Sequence, residues 1–144
     1  MSRAHVSAAL RAQIRKESRA RYGYCHSPEA FLGMPLDVEH LIPEAAGGPT
    51  TRDNLWLACS RCNDFKGDRL EAVDSQTGEQ VAWYDPRRQR WGAHFEWTAD
   101  GAHIRGRTAV GRATVEGLHL NNDFIVIARR FWVEAGRWPP DDDL

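Results

Sequence analysis

Residues Val38 to Asn63 read VEHLIPEAAGGPTTRDNLWLACSRCN. An acid–histidine pair, a Gly/Pro/Thr loop, one asparagine before a short apolar run, and a Cys-x-x-Cys pair closed by a second asparagine fall within these 26 residues. Leu36 to His40 alternates and predicts a short strand. PEAAGGPTTRD predicts a loop, and NLWLAC a second strand. SRCNDFKGDRL predicts a short helix with Ser60 as its cap. Two strands and a helix therefore bracket Glu39, His40, Asn54, Asn63, Cys59 and Cys62.

Outward from this stretch, Ser7 can cap a helix running to about Arg21, with Gly23 just past its end. Leu10 and Ile14 share one face of it and arginines occupy the others. Beyond Leu70 the character changes, with Trp83, Tyr84, Trp91, Phe95 and Trp97 supplying aromatic bulk. Ala99-Asp100-Gly101 marks a hairpin turn between HFEWT and HIRGRT. AVGRATVEGLHL predicts a helix, and Asn121 or Asn122 caps a second, DFIVIARRFWVEA, ending at Gly136. The expected organisation is a core over 1–70, a hairpin and helical extension over 71–137 packed on it, and an acidic tail over 138–144. The fold class is α+β.

The chain has 144 residues with 27% charged and 42% hydrophobic side chains, an ordinary globular balance. Its formal net charge of −1 gives no global nucleic-acid signal. The distribution says more, because residues 1–21 carry Arg3, Arg11, Arg15, Lys16, Arg19 and Arg21 against the single acid Glu17. Three cysteines, an odd number, favour metal or packing roles in a reducing compartment over a disulfide framework. No apolar run approaches the ~18 residues of a membrane span, and the amino terminus lacks the apolar centre of a signal peptide. A cytoplasmic protein without membrane partners is expected.

Cleaving a phosphodiester requires an activated water, in-line geometry and neutralisation of charge on the phosphoryl and leaving oxygens. A neutral imidazole can take the water proton near pH 7, and hard oxygen ligands hold a divalent ion. The string VEHLIP, GG and DNLWLACSRCNDFKG resembles the HNH endonuclease family over residues 22–69. Residues 71–134, through DPRRQRWGAHFEW and GRATVEGLHLNN, resemble the carboxy-terminal region of short bacterial HNH proteins. The resemblance implies a ββα-metal fold and a metal-dependent DNA endonuclease that leaves 5′-phosphate and 3′-hydroxyl ends. It implies His40 as general base, with Glu39 and Asn63 as metal ligands. Asn63 stands where the family's final histidine often stands, and an amide oxygen favours Mg²⁺, or Mn²⁺, over softer ions. Asn54 is expected to brace the loop that carries His40 through backbone hydrogen bonds. Lys66 is a catalytic phosphate contact or an ordinary solvated helix residue. Arg61, Arg69, Arg15 and Arg19 are nucleic-acid contacts in the same reading.

In the family two Cys-x-x-Cys knuckles clamp a structural Zn²⁺. Here Cys59 and Cys62 form one, while the other retains Cys25 and has Tyr22 at its first position. Three thiolates with His26 or water could hold zinc. Alternatively the thiols pack as small hydrophobes, with Tyr22 in the metal's place. His94 and His103 flank the predicted hairpin and read as structural, as do His5, His26 and His119.

Two other function classes compete. One is a nucleic-acid-binding module on the same fold without turnover, against which the intact acid–histidine pair argues. The other is an interaction protein that docks a partner through its carboxy-terminal hairpin and helices. No recognition module is evident, and monomer and homodimer are both compatible with the chain.

Overall fold

Ser7 opens helix α1 (Ala8–Glu17), its hydroxyl accepting from the Leu10 amide at 3.1 Å. The computed structural model describes residues 5–33 and 37–140, and the chain divides into two compact units, Met1–Leu70 and Glu71–Leu144. Both mix short helices with two-stranded antiparallel sheets. Among the described residues no helix is long and apolar enough to cross a membrane.

In the first unit α1 buries Ile14 completely. The helix stops at Glu17, short of the expected Arg21, because Arg19 and Ala20 adopt left-handed backbone angles (φ 57° and 54°). That reversal frees residues 21–28 to form a tight turn. Arg21 bridges Pro28, the Tyr22 amide donates to the Ser27 carbonyl at 3.2 Å, and Cys25 and His26 are carried at the tip. The Gly23 amide donates to the Leu57 carbonyl at 2.8 Å, which ties the turn to the sheet. A single helical turn, α2 (Glu29–Leu32), follows.

Strand β1 (Asp37–His40) pairs antiparallel with β2 (Leu55–Ala58), placing Glu39 opposite Trp56 and His40 opposite Leu55. The expected start of β1 at Leu36 lies outside the described residues. All four residues of β2 are buried, as a strand covered on both faces requires. Helix α3 (Ser60–Lys66) follows directly. Its cap is Cys59 rather than Ser60, with Sγ accepting from the Cys62 amide at 3.3 Å.

The second unit begins with a hairpin that short polar segments gave no reason to expect, β3 (Glu71–Val73) and β4 (Gln80–Ala82). Helical turn α4 (Trp91–His94) leads into the hairpin β5 (Phe95–Trp97) and β6 (Ile104–Gly106). Helices α5 (Ala109–Gly117) and α6 (Asp123–Glu134) complete it, capped by the Thr108 hydroxyl and the Asn122 side chain. His94 is spent locally, its Nδ1 lying 2.6 Å from Thr108 Oγ1.

Trp91 stacks on Trp97 at 5.0 Å, and Trp138 meets both Trp97 and Trp132 edge-on at 4.8 and 5.1 Å. Trp138 is therefore core, its indole donating to the Gly101 carbonyl at 3.1 Å. Residue 138, expected to open the acidic tail, thus belongs to the core, and residues 141–144 lie outside the described residues. Beneath the tryptophans Arg129 is fully buried. Its guanidinium donates to the carbonyls of Ala102 and Leu120 and lies 5.5 Å from the Trp97 ring centre. Such an arrangement surrounds a buried cation with carbonyl dipoles and a π face.

Candidate active site

The β1–β2 connection is closed by one side chain. Asn54 is buried, its Oδ1 accepts from the Ile42 amide at 2.8 Å, and its Nδ2 donates to the carbonyls of Ile42 (3.0 Å) and Pro49 (2.9 Å). The Leu41 amide adds a bond to the Asn54 carbonyl at 2.8 Å. Gly48 lies so near this clamp that a Cβ would fall 1.7 Å from the Ile42 carbonyl oxygen, so the loop closes only with glycine there. The clamp sets the chain direction just after His40.

A cleft of about 550 Å³ opens beside it, lined by Val38, Glu39, His40, Glu44, Asn63, Asp64, Asp68 and their neighbours. His40 reaches it from the end of β1, with Nε2 3.1 Å from Glu44 Oε1 and 2.9 Å from Thr50 Oγ1. Asn63 and Asp64 reach it from α3, and Asp68 from just beyond that helix. Glu39 is 2% exposed. Its Oε1 accepts from the Tyr24 hydroxyl at 2.8 Å and lies 2.8 Å from Lys66 Nζ. The structure therefore brings Glu39, His40 and Asn63 to one cleft and places Asn54 behind it.

Lys66 departs from both readings the sequence allowed. It is neither solvated nor presented to a phosphate, but buried at 2% exposure. Besides Glu39 it donates to the Leu41 carbonyl at 3.0 Å and the His40 carbonyl at 3.3 Å. Its position one turn after Asn63 turns it under β1 rather than outward. Arg69 turns back on the end of α3, donating to the Phe65 and Lys66 carbonyls, where a cation complements the helix terminus. Arg61 is exposed on α3. Arg15, Arg19, Arg11 and Lys16 line one shallow groove along α1, and Arg15 also pairs with Glu29 at 3.1 Å.

Sequence reasoning passed over Tyr24, Glu44, Thr50, Asp64 and Asp68. Glu44 carried a usable signal, an acid four residues after the histidine on a loop that must fold back. Tyr24 carried none, because tertiary ties such as the bond from Gly23 to Leu57 bring its turn to the sheet.

The cleft's donor set is almost wholly oxygen, two glutamates, two aspartates and an amide beside one imidazole, with no thiol. Oxygen donors are the kind a hard cation takes, with Glu39 Oε1 already engaged by Tyr24 and Lys66. A second cluster is soft. The sulfurs of Cys25, Cys59 and Cys62 all lie within 4.8 Å of one another, and none forms a disulfide. Donation from the Cys59 and Cys62 thiols, with help from Ser27, holds Cys25 well below the usual thiol range. Sharing hydrogen bonds with Cys25, together with burial, raises Cys59 and Cys62. Burial and the neighbouring Cys59 and Cys25 push the Tyr22 phenol up to about 12. The three thiols can hold a thiophilic metal ion, and the Tyr22 phenol is a poorer fourth ligand than Cys or His.

Residues 23–69 match the HNH endonuclease family. Over 64 residues the chain is 39% identical to the CRISPR-associated endonuclease Cas9 of Corynebacterium diphtheriae, covering 44% of this chain and 6% of that protein. The chain thus spans a small fraction of that relative's length. No solved structure matches it. The HNH segment holds every residue of the cleft and both halves of the thiol cluster.

Proposed function

We propose that the HNH segment hydrolyses DNA phosphodiester bonds as a divalent-metal-dependent endonuclease, leaving 5′-phosphate and 3′-hydroxyl ends, on a ββα-metal core. The contact of His40 with Glu44 at the mouth of an oxygen-lined cleft carries this reading. A carboxylate only accepts, so the hydrogen of this contact sits on Nε2, and in the neutral tautomer the lone pair is then on Nδ1. Nδ1 is then the atom that takes the proton of the attacking water. A new P–O bond forms while the P–O3′ bond breaks. The departing 3′ oxygen takes a proton from solvent, and His40 later returns its own to water.

Glu39 and Asn63 would hold the cation, Mg²⁺ or Mn²⁺, which when bound neutralises charge on the phosphoryl and leaving oxygens. Asn54 and Lys66 hold the backbone around His40, so the base is presented by a braced strand end rather than by a loose loop. Arg11, Arg15, Lys16 and Arg19 along α1, with Arg61 on α3, supply sequence-independent contacts to phosphates.

Supercoiled plasmid incubated with the full chain and Mg²⁺, Mn²⁺ or EDTA tests this, with His40→Ala in parallel. Conversion to nicked or linear DNA that needs both the ion and His40 is the expected result. Undiminished, metal-dependent cleavage by His40→Ala would overturn it. Binding of DNA without cleavage under any ion would make the segment a binding module instead.

A further inference from the structure

Helix α6 turns its buried face, Val126 and Arg129, into the second unit. The opposite face carries Phe124, Ile127 and Phe131 at 76%, 52% and 66% exposure. These positions follow the three-then-four spacing of an association seam. Asp123, Arg130 and Glu134 are exposed beside them. The two phenylalanines alone leave roughly 250–300 Å² of side chain in water, beyond the singly scattered apolar residues of an ordinary surface.

The geometry points to a second copy of this chain as the occupant, packed antiparallel along α6 about a two-fold axis near Ile127. Charge chooses both occupant and direction. With Phe124 and Phe131 at equivalent seam positions, Asp123 and Arg130 each precede one of them and lie seven residues apart on the same edge. In an antiparallel pair that edge meets its own copy. Asp123 of each helix then comes within a turn of Arg130 of the other, twice by symmetry. In a parallel pair the same two residues would face Ala128 and Ala135 and gain nothing. Nucleic acid is disfavoured on the same face, since Asp123 and Glu134 stand at its two ends and would repel phosphate. Two copies cover roughly 600 Å² through these aromatics before the rim is counted. That is below the ~1,200–2,000 Å² of a stable complex, so the dimer is reversible and depends on concentration. This inference is independent of the nuclease reading.

Sedimentation equilibrium of the full chain from about 1 to about 500 µM, across which so small an interface should dissociate, tests it. The expected mass rises from one chain to two. Phe131→Ser, at an exposed position that leaves the core intact, should stay monomeric with an unchanged circular dichroism spectrum. Arg130→Asp should weaken association about tenfold, because symmetry sets two repulsive pairs in place of two attractive ones. Asp123→Arg combined with Arg130→Asp should restore it. A monomer throughout the range would overturn the proposal, as would a dimer indifferent to these substitutions. So would a double reversal that fails to recover while keeping its fold. If the α6 variants change plasmid retention and leave the mass unchanged, the face belongs to nucleic acid and the proposal is again wrong.

Discussion

Lys66 Nζ lies 2.8 Å from Glu39 Oε1, with 2% and 1% of the two side chains exposed. This joins α3 to β1 at the residue that immediately precedes His40. Neither charge is tolerable there alone, since an ion stripped of water and partner is strongly disfavoured.

Lys66→Met should therefore unfold more readily in urea, by about 3–5 kcal/mol, by leaving Glu39 uncompensated. Glu39→Gln combined with Lys66→Met should recover much of that loss, because the buried charge is gone from both sides. A double variant as unstable as the sum of the two single ones would mean that the pair is not coupled. Plasmid cleavage should fall in every variant, including the recovered one, which separates fold from chemistry.

Glu44 fixes the His40 tautomer in the proposed mechanism. His40→Ala should lower cleavage by roughly 10²–10⁴-fold. Glu44→Gln should lose less, because an amide can still accept from Nε2–H, whereas Glu44→Ala removes the restraint. The order wild type, Glu44→Gln, Glu44→Ala, His40→Ala in single-turnover rate is the expected outcome. A Glu44→Ala variant as fast as wild type would show that Thr50, 2.9 Å from the same nitrogen, suffices to orient the ring.

How much of this site could be read in advance depended on whether the determining contact was local. His40 and Asn63 were singled out through the family resemblance carried by one short stretch of strand, loop and helix, and Asn54 as a loop brace, which its bonds to Ile42 and Pro49 make it. Lys66 was not, since helical spacing from Asn63 says nothing about which element lies beneath it. The end of α1 was missed because the turn bearing Cys25 competes for Arg19–Arg21, and a tertiary tie to Leu57 decides the competition. Trp138 looked like part of a tail beside an acidic run, yet its partners Trp97 and Trp132 lie in β5 and α6, invisible to any local pattern. The β3–β4 hairpin has only three residues per strand, too short for alternation to register.

Tyr22 controls what the thiol cluster can hold. It stands beside Cys25 and Cys59, and a phenol is a poorer zinc ligand than a thiol. Wild-type protein loaded with Zn²⁺ and dialysed against EDTA should lose the metal. Tyr22→Cys supplies a fourth thiol and should retain one zinc per chain, with a higher melting temperature in the loaded form. Elemental analysis after dialysis reads the difference. Equal retention by both proteins would assign a fourth ligand other than residue 22.

The second unit carries its own acid-sensitive clasp. Asp74 is buried in the turn after β3, and Arg112 on α5 reaches both its carboxylate oxygens at 2.9 Å, while the Thr77 hydroxyl donates at 2.7 Å. The Arg112 hydrogen bonds, joined by those of Thr77 and the Gln76 amide, hold Asp74 well below the usual value of 3.8. A carboxylate whose folded-state value is depressed binds its proton less readily than in the unfolded chain. Its stabilisation is therefore complete above the unfolded value and is lost as pH falls below it. Stability of the second unit should be insensitive to this pair at pH 6–8 and decline below about pH 4. Asp74→Asn removes the titration, so its unfolding free energy should be lower than wild type at pH 7 and converge with it in acid. Urea unfolding followed by tryptophan fluorescence at pH 7, 5 and 3 measures this. Curves that stay parallel across the three pH values would show that the Asp74–Arg112 pair does not carry the acid response.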